Sequence, residues 1–347
     1  MSGYGRVNGR ATVPRRFKVQ SNLETDGRVA LDTTTEPVTK KRRPRLMSWL
    51  VAGLLAAWAL VRLTGLEAGW PLTQLMTLTP FGAVLALLSA AVLFFRDRLA
   101  ALVALAAAAA MVAVIVPRVV SDPAPEGGTA LRVLSSNLFG RADPAAIVDL
   151  VTRLDVDVLS ALELRPHQVA ALEAAGLGRL LPYTVLEEAE GPAGSGIYSR
   201  YPLTKIEGLF TPIGHHMPAA RVALPSGPVE VVAVHPNPPL PRLYAEWNVS
   251  LAALPDAAPG RILAGDFNAS LDHQAFRALL NRGYTDAAAQ VGKGLVPTWP
   301  RGRAIPPIIT IDHILVDRSI GVRRAEIVDV PGTDHRAVFA DLSIGQP

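Results

Sequence analysis

The residues best suited to chemistry stand where short apolar runs end. Ile262, Leu263 and Ala264 form a run fit for a buried strand, Gly265 lets the backbone turn, and Asp266 and Asn268 follow. Side chains two apart on an extended chain point the same way, so this carboxylate and amide can face one phosphate or one metal-bound water. Alone, Gly-Asp-x-Asn also reads as an ordinary Asx turn. The arrangement recurs, however. Asn137 follows the run 131–136, Glu163 follows 156–162 and His235 follows 229–234. Asp312 and His313 interrupt 308–316, and Asp334 and His335 precede 338–342. Singly, each has a structural reading as a surface carboxylate, a turn amide or a hydrogen-bonded core histidine. Together they supply what phosphoester hydrolysis needs: oxygen ligands for a hard cation, a base for water, and donors for the phosphate oxygens.

The elements that must position them are short. β-like runs cover 131–136, 156–162, 196–199, 221–224, 229–234, 261–264, 308–316 and 338–342, separated by Gly, Pro and Asp. Helical stretches are expected over 144–154, 166–175, 242–254 and 273–281, with Asp143 and Asp272 as N-caps of the first and last. There is no internal repeat. Many strands with a few helices over about 220 residues predict one α/β domain with packed sheets, large enough for a full core.

Half of the 347 residues are apolar, high for a wholly soluble chain. The absence of cysteine excludes disulfides, thiolate nucleophiles and Cys-ligated zinc. The net charge of +4 is unevenly spread: residues 1–45 carry +7, 46–118 carry +2 and 119–347 carry −5. Residues 1–45 read as a disordered basic tail. Arg15-Arg16-Phe17 is a faint twin-arginine pattern without the apolar core of an export signal. Lys40-Lys41-Arg42-Arg43-Pro44-Arg45 directly precedes an apolar segment, where such charges hold the cytoplasmic end of a membrane helix.

Three apolar runs follow, 46–66, 68–95 and 99–117, each near the ~20 residues that cross a bilayer. The first contains Arg62, close enough to its end to snorkel. Pro71 and Pro80 suggest that the second helix proper begins after them. Arg96-Asp97-Arg98 is basic on balance, while the connection near Glu67 is not, so the positive-inside rule puts the tail and the second connection in the cytoplasm. Three crossings of the plasma membrane then deliver the rest of the chain outside. A third run that failed to span would leave it inside, and a signal peptide at the first run is the other alternative. Residues 119–130 read as a Pro/Gly linker, and 131–347 as the catalytic domain.

Asn137, Glu163, Gly-Asp-Phe-Asn at 265–268, Ile-Asp-His-Ile at 311–314 and Thr-Asp-His-Arg at 333–336 resemble the motifs of the endonuclease/exonuclease/phosphatase, or DNase I-like, superfamily, in that family's order. Ser199-Arg200-Tyr201-Pro202-Leu203 is similar to another family phrase. The resemblance implies a four-layer αββα sandwich with two central mixed β-sheets. It implies that Asn137, Glu163 and Asp334 hold a divalent cation, Mg²⁺ first, with Mn²⁺ or Ca²⁺ as alternatives. His335 would take the proton of the attacking water, with Asp312 fixing its tautomer, unless Asp266 serves as that base. Asn268 and His235 would donate to the phosphate oxygens, and His313 would make a structural hydrogen bond. Thr333 and Ala337 stand where the family often has Ser and Pro. His215 and His216, adjacent on a strand, would face opposite ways and are left outside the site. Asn237 after His235, and Trp299 with Arg301 and Arg303, are weaker substrate contacts with equally good turn or loop-anchor readings.

A DNA-binding face normally clusters Lys and Arg, whereas 119–347 is net acidic with only Lys205 and Lys293. A site tied to membrane helices stays near the bilayer surface, so the expected partners are the lipid bilayer and a lipid-linked or small phosphate substrate, with no protein partner evident. The architecture resembles actinobacterial membrane proteins linked to teicoplanin resistance. An outward-facing nuclease acting on DNA or RNA is the second reading, and a catalytically inactive binding module the third.

Overall fold

The structure, a computed structural model, describes residues 45–124, 127–302 and 304–345. The basic tail expected over 1–45 lies outside the described residues except for Arg45, as does Arg303.

Among the described residues four helices come first: α1 (Leu46–Thr64), α2 (Leu72–Thr77), α3 (Thr79–Phe94) and α4 (Arg98–Ile115), ending in a 3-10 turn, Val116–Arg118. α2 starts directly after Pro71, but α3 begins at Thr79 and takes Pro80 into its first turn, where a proline is tolerated, and does not start after it as expected; Asp97 caps α4 by accepting from the Ala100 N–H. The helices pack through small residues, with Ala52, Ala83, Ala86, Ala100, Ala104 and Ala108 buried. Many of their larger side chains, including Leu54, Leu85, Leu88 and Leu102, face outward, while Leu55, Leu93 and Met111 are buried with the alanines. Among the described residues, two helices, Leu46–Thr64 and Arg98–Arg118, are long and apolar enough to cross a membrane; α3, at 16 residues, is shorter than the three-span expectation supposed.

The remainder runs β1 (Thr129–Asn137), α5 (Pro144–Arg153), β2 (Val158–Leu162), α6 (Pro166–Ala174), α7 (Leu177–Leu180), β3 (Tyr183–Glu187), β4 (Ser195–Ser199), β5 (Leu203–Lys205), β6 (Ala219–Val222) and β7 (Val229–Val234). Then come α8 (Tyr244–Ala253), β8 (Arg261–Asp266), α9 (Gln274–Leu280), β9 (Tyr284–Asp286), α10 (Ala287–Gln290), β10 (Asp312–Asp317), β11 (Gly321–Asp329) and β12 (Arg336–Ile344). Two six-stranded mixed sheets form, in the orders β11-β12-β1-β2-β4-β3 and β5-β6-β7-β8-β10-β9. Each is antiparallel except for one central parallel pair, β1 with β2 and β7 with β8.

Alternation along these strands makes three cores. Leu131, Val133, Val231, Ile262 and Ile314 meet between the sheets; Leu134, Leu159 and Phe339 pack against α5 and α6; Leu263, Phe267 and Leu315 pack beneath Trp247 of α8 and Phe276 of α9. The result is the expected αββα layering. The Ser160 hydroxyl donates to the Ala264 carbonyl (2.8 Å) and ties the sheets together beneath the parallel pairs.

Asp143 caps α5 as expected, accepting from the Ala145 N–H. Asp272 does not cap α9; that position falls to His273, which makes no side-chain cap. The Asp272 carboxylate is instead buried against Arg62 and Arg118. Arg62 likewise does not snorkel: it is 5% exposed and paired, because a carboxylate from the domain reaches it where water was expected to. Of the expected linker, residues 121–124 lie along the domain, with Asp122 N–H bonded to the Gln290 carbonyl and Ala124 N–H to that of Val322.

Candidate active site

Each central parallel pair presents the C-terminal ends of two neighbouring strands at one edge, and the polar residues sit there. Asn137 is the last residue of β1, Glu163 follows β2, His235 follows β7 and Asp266 ends β8. Asp312 opens β10 directly opposite Asp266 in the antiparallel register. Asp334 and His335 immediately precede β12. Gly265 allows the close approach: a Cβ there would lie 1.9 Å from the Val234 carbonyl oxygen, so only glycine lets β7 and β8 bring His235 and Asp266 side by side. Glu163 and Asn268 both have positive φ, +52° and +48°. For Asn this is a tolerated conformation, but for Glu it is sparsely populated and is held by the surrounding structure.

All eight predicted side chains enter one network. The Asn137 amide donates to Glu163 Oε1 (3.2 Å) and to Asp266 Oδ2 (3.1 Å), while its oxygen accepts from the Phe139 N–H (2.9 Å). His335 Nδ1 donates to the Asp312 carboxylate (3.0 and 3.1 Å), and its Nε2 lies 3.7 Å from Asp266 Oδ2 and 3.9 Å from Asp334 Oδ1. His235 Nε2 is 3.8 Å from the same Asp266 oxygen. The Asn268 N–H donates to Asp266 Oδ1 (2.8 Å), and its amide donates to the Pro236 carbonyl (3.0 Å), which couples the turn after β8 to the segment carrying His235. His313 makes structural hydrogen bonds, as expected. It donates from both nitrogens, to Asp286 Oδ2 (2.7 Å) and the Ala269 carbonyl (2.9 Å). Burial opposes a charged ring, but the Asp286 carboxylate outweighs it and raises the His313 pKa above its ordinary value.

The site's electrostatics are those of crowded carboxylates around one imidazole. Burial and the neighbouring Asp312 charge raise the Asp266 pKa to about 7. Burial disfavours a charged His335, yet Asp312, Asp266 and Asp334 outweigh it and raise the imidazole to about 10. Burial also raises Glu163, against the pull of the Asn137 N–H. His235, fully enclosed and near His215 and His335, falls well below its ordinary value and is neutral. Such a pocket has more buried negative charge than His335 offsets, and its donors are hard oxygens, which fits a divalent cation. Ligand atoms of Asp266, Asp312 and His335 all lie within 4.8 Å of one another. That group differs from the expected ligand set of Asn137, Glu163 and Asp334, of which Asn137 and Glu163 are bonded to each other beside it and Asp334 lies 3.9 Å from His335 Nε2.

Three participants escaped the sequence reading. His215 Nδ1 lies 3.1 Å from His235 Nδ1, with the ring centroids 4.4 Å apart, so one imidazole donates to the other and fixes its orientation. His216 bonds elsewhere, to the Glu187 carbonyl, but neither residue lies on a strand: both sit in the loop before β6, so the alternation expected of a strand does not apply there. The Thr298 hydroxyl accepts from the N–H groups of Ile311 and Asp312 (3.0 and 3.2 Å), setting the start of β10. Thr333 donates to the Asn137 carbonyl (2.7 Å) and accepts from the His335 N–H (3.2 Å), a double role that any hydroxyl here can fill. Asn237, a candidate phosphate contact, donates instead to Glu246 (2.7 Å). Trp299 is a half-buried member of an isolated bridge with Ile309.

A family model described as "Endonuclease/Exonuclease/phosphatase family" matches residues 134–335. No curated protein matches, so the likeness to teicoplanin-resistance membrane proteins gains no support there. Among solved structures, an endonuclease/exonuclease/phosphatase from Beutenbergia cavernae superposes with a TM-score of 0.50 at 20% identity, over 62% of this chain and 72% of that one. A mannosyl-6-phosphatase of Bacteroides thetaiotaomicron gives 0.46 at 18% identity, over 62% and 100%. D. rerio TDP2 in complex with a single-strand DNA product gives 0.48 at 18%, over 62% and 99%. At these identities the likeness is one of fold.

Proposed function

Because the chain belongs to the endonuclease/exonuclease/phosphatase family, we propose that it is a membrane-anchored, divalent-metal-dependent phosphoesterase acting on a lipid-borne or small phosphate substrate outside the plasma membrane. The observation that carries this reading is the meeting of Asn137, Glu163, His235, Asp266, Asn268, Asp312, Asp334 and His335 at one edge of two sheets, within one hydrogen-bonded and charged network. A Mg²⁺ ion held by Glu163, Asp334 and Asn137 would polarise the phosphoryl group and acidify a bound water. The chain's own residues do the rest. Asp266 and His335, 3.7 Å apart, titrate together, and the pair is the acceptor for the proton of the attacking water. Asp312 holds the His335 ring so that Nε2 faces inward. His235, neutral, and the second N–H of Asn268 donate to the non-bridging oxygens as charge builds there.

The helices support the membrane reading by their inverted composition, alanines inside and many leucines outside, since helices in lipid associate through small residues. Arg45 opens α1, and Arg96 and Arg98 lie at the α3–α4 junction. The opposite ends of these helices meet the domain, at Glu67, Thr73 and Arg118. By the positive-inside rule that arrangement supports the reading of an outward-facing domain. The net-acidic domain with two lysines disfavours a nucleic-acid track.

The test uses the full chain in lipid nanodiscs with Mg²⁺ or EDTA, beside His335→Ala, given a prenyl pyrophosphate, bis-p-nitrophenyl phosphate and plasmid DNA. Metal-dependent turnover of the first two, lost in the variant, is the expected result. Plasmid cleavage far faster than lipid turnover would overturn the substrate assignment, and turnover of none would leave a binding module.

A further inference from the structure

The turn that carries Asp266 and Asn268 does not end in a surface loop. Within a few residues it runs into the helical bundle, and almost every polar group along the way is bonded. Ala269 gives its carbonyl to His313. The Ser270 N–H donates to His273 Nδ1 (2.8 Å), which leaves the other ring nitrogen, Nε2, to donate to the Thr73 carbonyl of α2 (2.9 Å). Between them sits Asp272. Arg118 grips it bidentately, Nη1 to Oδ2 at 2.7 Å and Nη2 to Oδ1 at 2.6 Å, and Arg62 Nε from α1 reaches Oδ1 at 2.5 Å. Both guanidinium groups also reach the Leu271 carbonyl, at 3.4 and 3.5 Å. Exposure is 5% for Arg62, 7% for Arg118, 1% for Asp272 and 0% for His273.

A simple tether requires none of this. A carboxylate and two guanidinium groups taken out of water are costly unless each is held in good geometry by the others, so such a cluster selects one arrangement of the elements that supply it. Those elements are the outer ends of α1 and α4 and the segment six residues beyond Asp266. We propose that Asp272, clasped by Arg62 and Arg118, is a positioning residue for the reaction: the helical bundle forms part of the catalytic unit and holds the 266–270 turn in its working geometry. This rests on the phosphoesterase reading for its kinetic consequence but not for its structural one. Two basic residues at the domain end of the bundle are also explained, since both are spent on Asp272 and neither opposes the orientation set by the charges at the other end.

The test is made on the full chain in nanodiscs, with Asp272→Asn, Arg62→Gln and Arg118→Gln, and with Arg118→Lys as the milder variant. Amide hydrogen exchange is followed by mass spectrometry, and hydrolysis of bis-p-nitrophenyl phosphate with Mg²⁺ gives kcat and KM. In Asp272→Asn, exchange across 267–273 should rise at least about tenfold while β1 and β2 stay protected, and kcat should fall roughly 10- to 100-fold with KM within about twofold, the signature of displaced groups rather than lost binding. Arg118→Lys, which keeps the charge but not the fork, should fall between wild type and Arg118→Gln. Unchanged exchange and kcat in Asp272→Asn overturn the proposal. So does protection lost throughout both sheets, because the clasp would then be holding the fold and not the turn. If the wild-type chain turns nothing over, the phosphoesterase reading fails by itself and the exchange pattern still decides whether the clasp sets the turn.

Discussion

Asp312→Asn separates the two things Asp312 does for His335. The side chain is 3% exposed, and both of its oxygens lie 3.0–3.1 Å from His335 Nδ1, so the substitution is nearly isosteric and removes one charge. An amide that turns its NH₂ toward Nδ1 drives the ring proton to Nε2, the nitrogen that faces Asp266, and the ring can no longer share in accepting a proton there. The electrostatic effect can be sized. The groups of Asp266, Asp312 and His335 lie within 4.8 Å of one another, and at an effective dielectric of 20 a unit charge at that distance is worth roughly 3 kcal/mol, or about two pH units.

In the wild type Asp266 is raised to about 7 by burial and then by Asp312, so the rate should climb as pH rises through neutrality and the Asp266–His335 pair gives up its proton. Removing the Asp312 charge lowers Asp266, and the acid limb of the profile should move down by as much as about two pH units. His335, raised by the same carboxylate, moves down as well. The expected outcome is a kcat lower by roughly 10²- to 10⁴-fold, KM within about twofold, and a displaced acid limb, measured with bis-p-nitrophenyl phosphate from about pH 5 to 9, with thermal unfolding as the control on fold. A kcat within about threefold of wild type, with the acid limb unmoved, would refute the assignment of Asp312 and His335 as a working pair.

Two further substitutions probe the frame. Gly265→Ala puts a methyl 1.9 Å from the Val234 carbonyl oxygen, a backbone atom that cannot rotate away, so β7 and β8 must part where His235 and Asp266 meet; we expect a loss of about 2 kcal/mol or more in stability and near-complete loss of turnover, checked by thermal unfolding and kcat. Glu67, buried where the α1–α2 connection meets the domain, has its pKa raised by burial from 4.5 to about 7 against the pull of the Gln274 N–H, Arg277 and Arg62, with Asp272 adding to the rise. Because the folded chain then holds a proton that the unfolded chain has released, stability falls as pH rises from about 4.5 through 7, by at most about 3 kcal/mol. Glu67→Gln should therefore flatten that decline and raise the melting temperature at pH 8 more than at pH 5, and equal melting shifts at both would count against it.

What the sequence made legible was whatever depends on neighbours along the chain. An apolar run ending in a polar residue is a local pattern, and because both parallel pairs present their strand ends at one edge, Asn137, Glu163, His235 and Asp266 could be read as candidates one at a time and found together. The edge strands β3 and β11 were missed because they are half-exposed and lack the continuous apolar run of a central strand. Strand alternation was the wrong rule for His215 and His216, because they lie in a loop, and nothing local says that this loop brings His215 to His235 at the end of β7.

Asp272 is the most instructive case. Asp before a helical run is a good N-cap by local rules, and Arg near the end of an apolar run is a good candidate to snorkel. Each reading assumes that water or the helix's own backbone is the best partner on offer. Packing supplies a stronger one: Arg62 lies 210 positions from Asp272 and Arg118 lies 154, and a bidentate guanidinium–carboxylate pair out of water outcompetes one backbone N–H for the same oxygens. The local preference was real, and it lost to a contact that exists only once the helices and the sheets have been brought together. The same competition explains why the site's charged residues were easier to find than the residues that hold them: chemistry recruits side chains at strand ends, where the pattern shows, while positioning is done by whichever distant group the fold delivers.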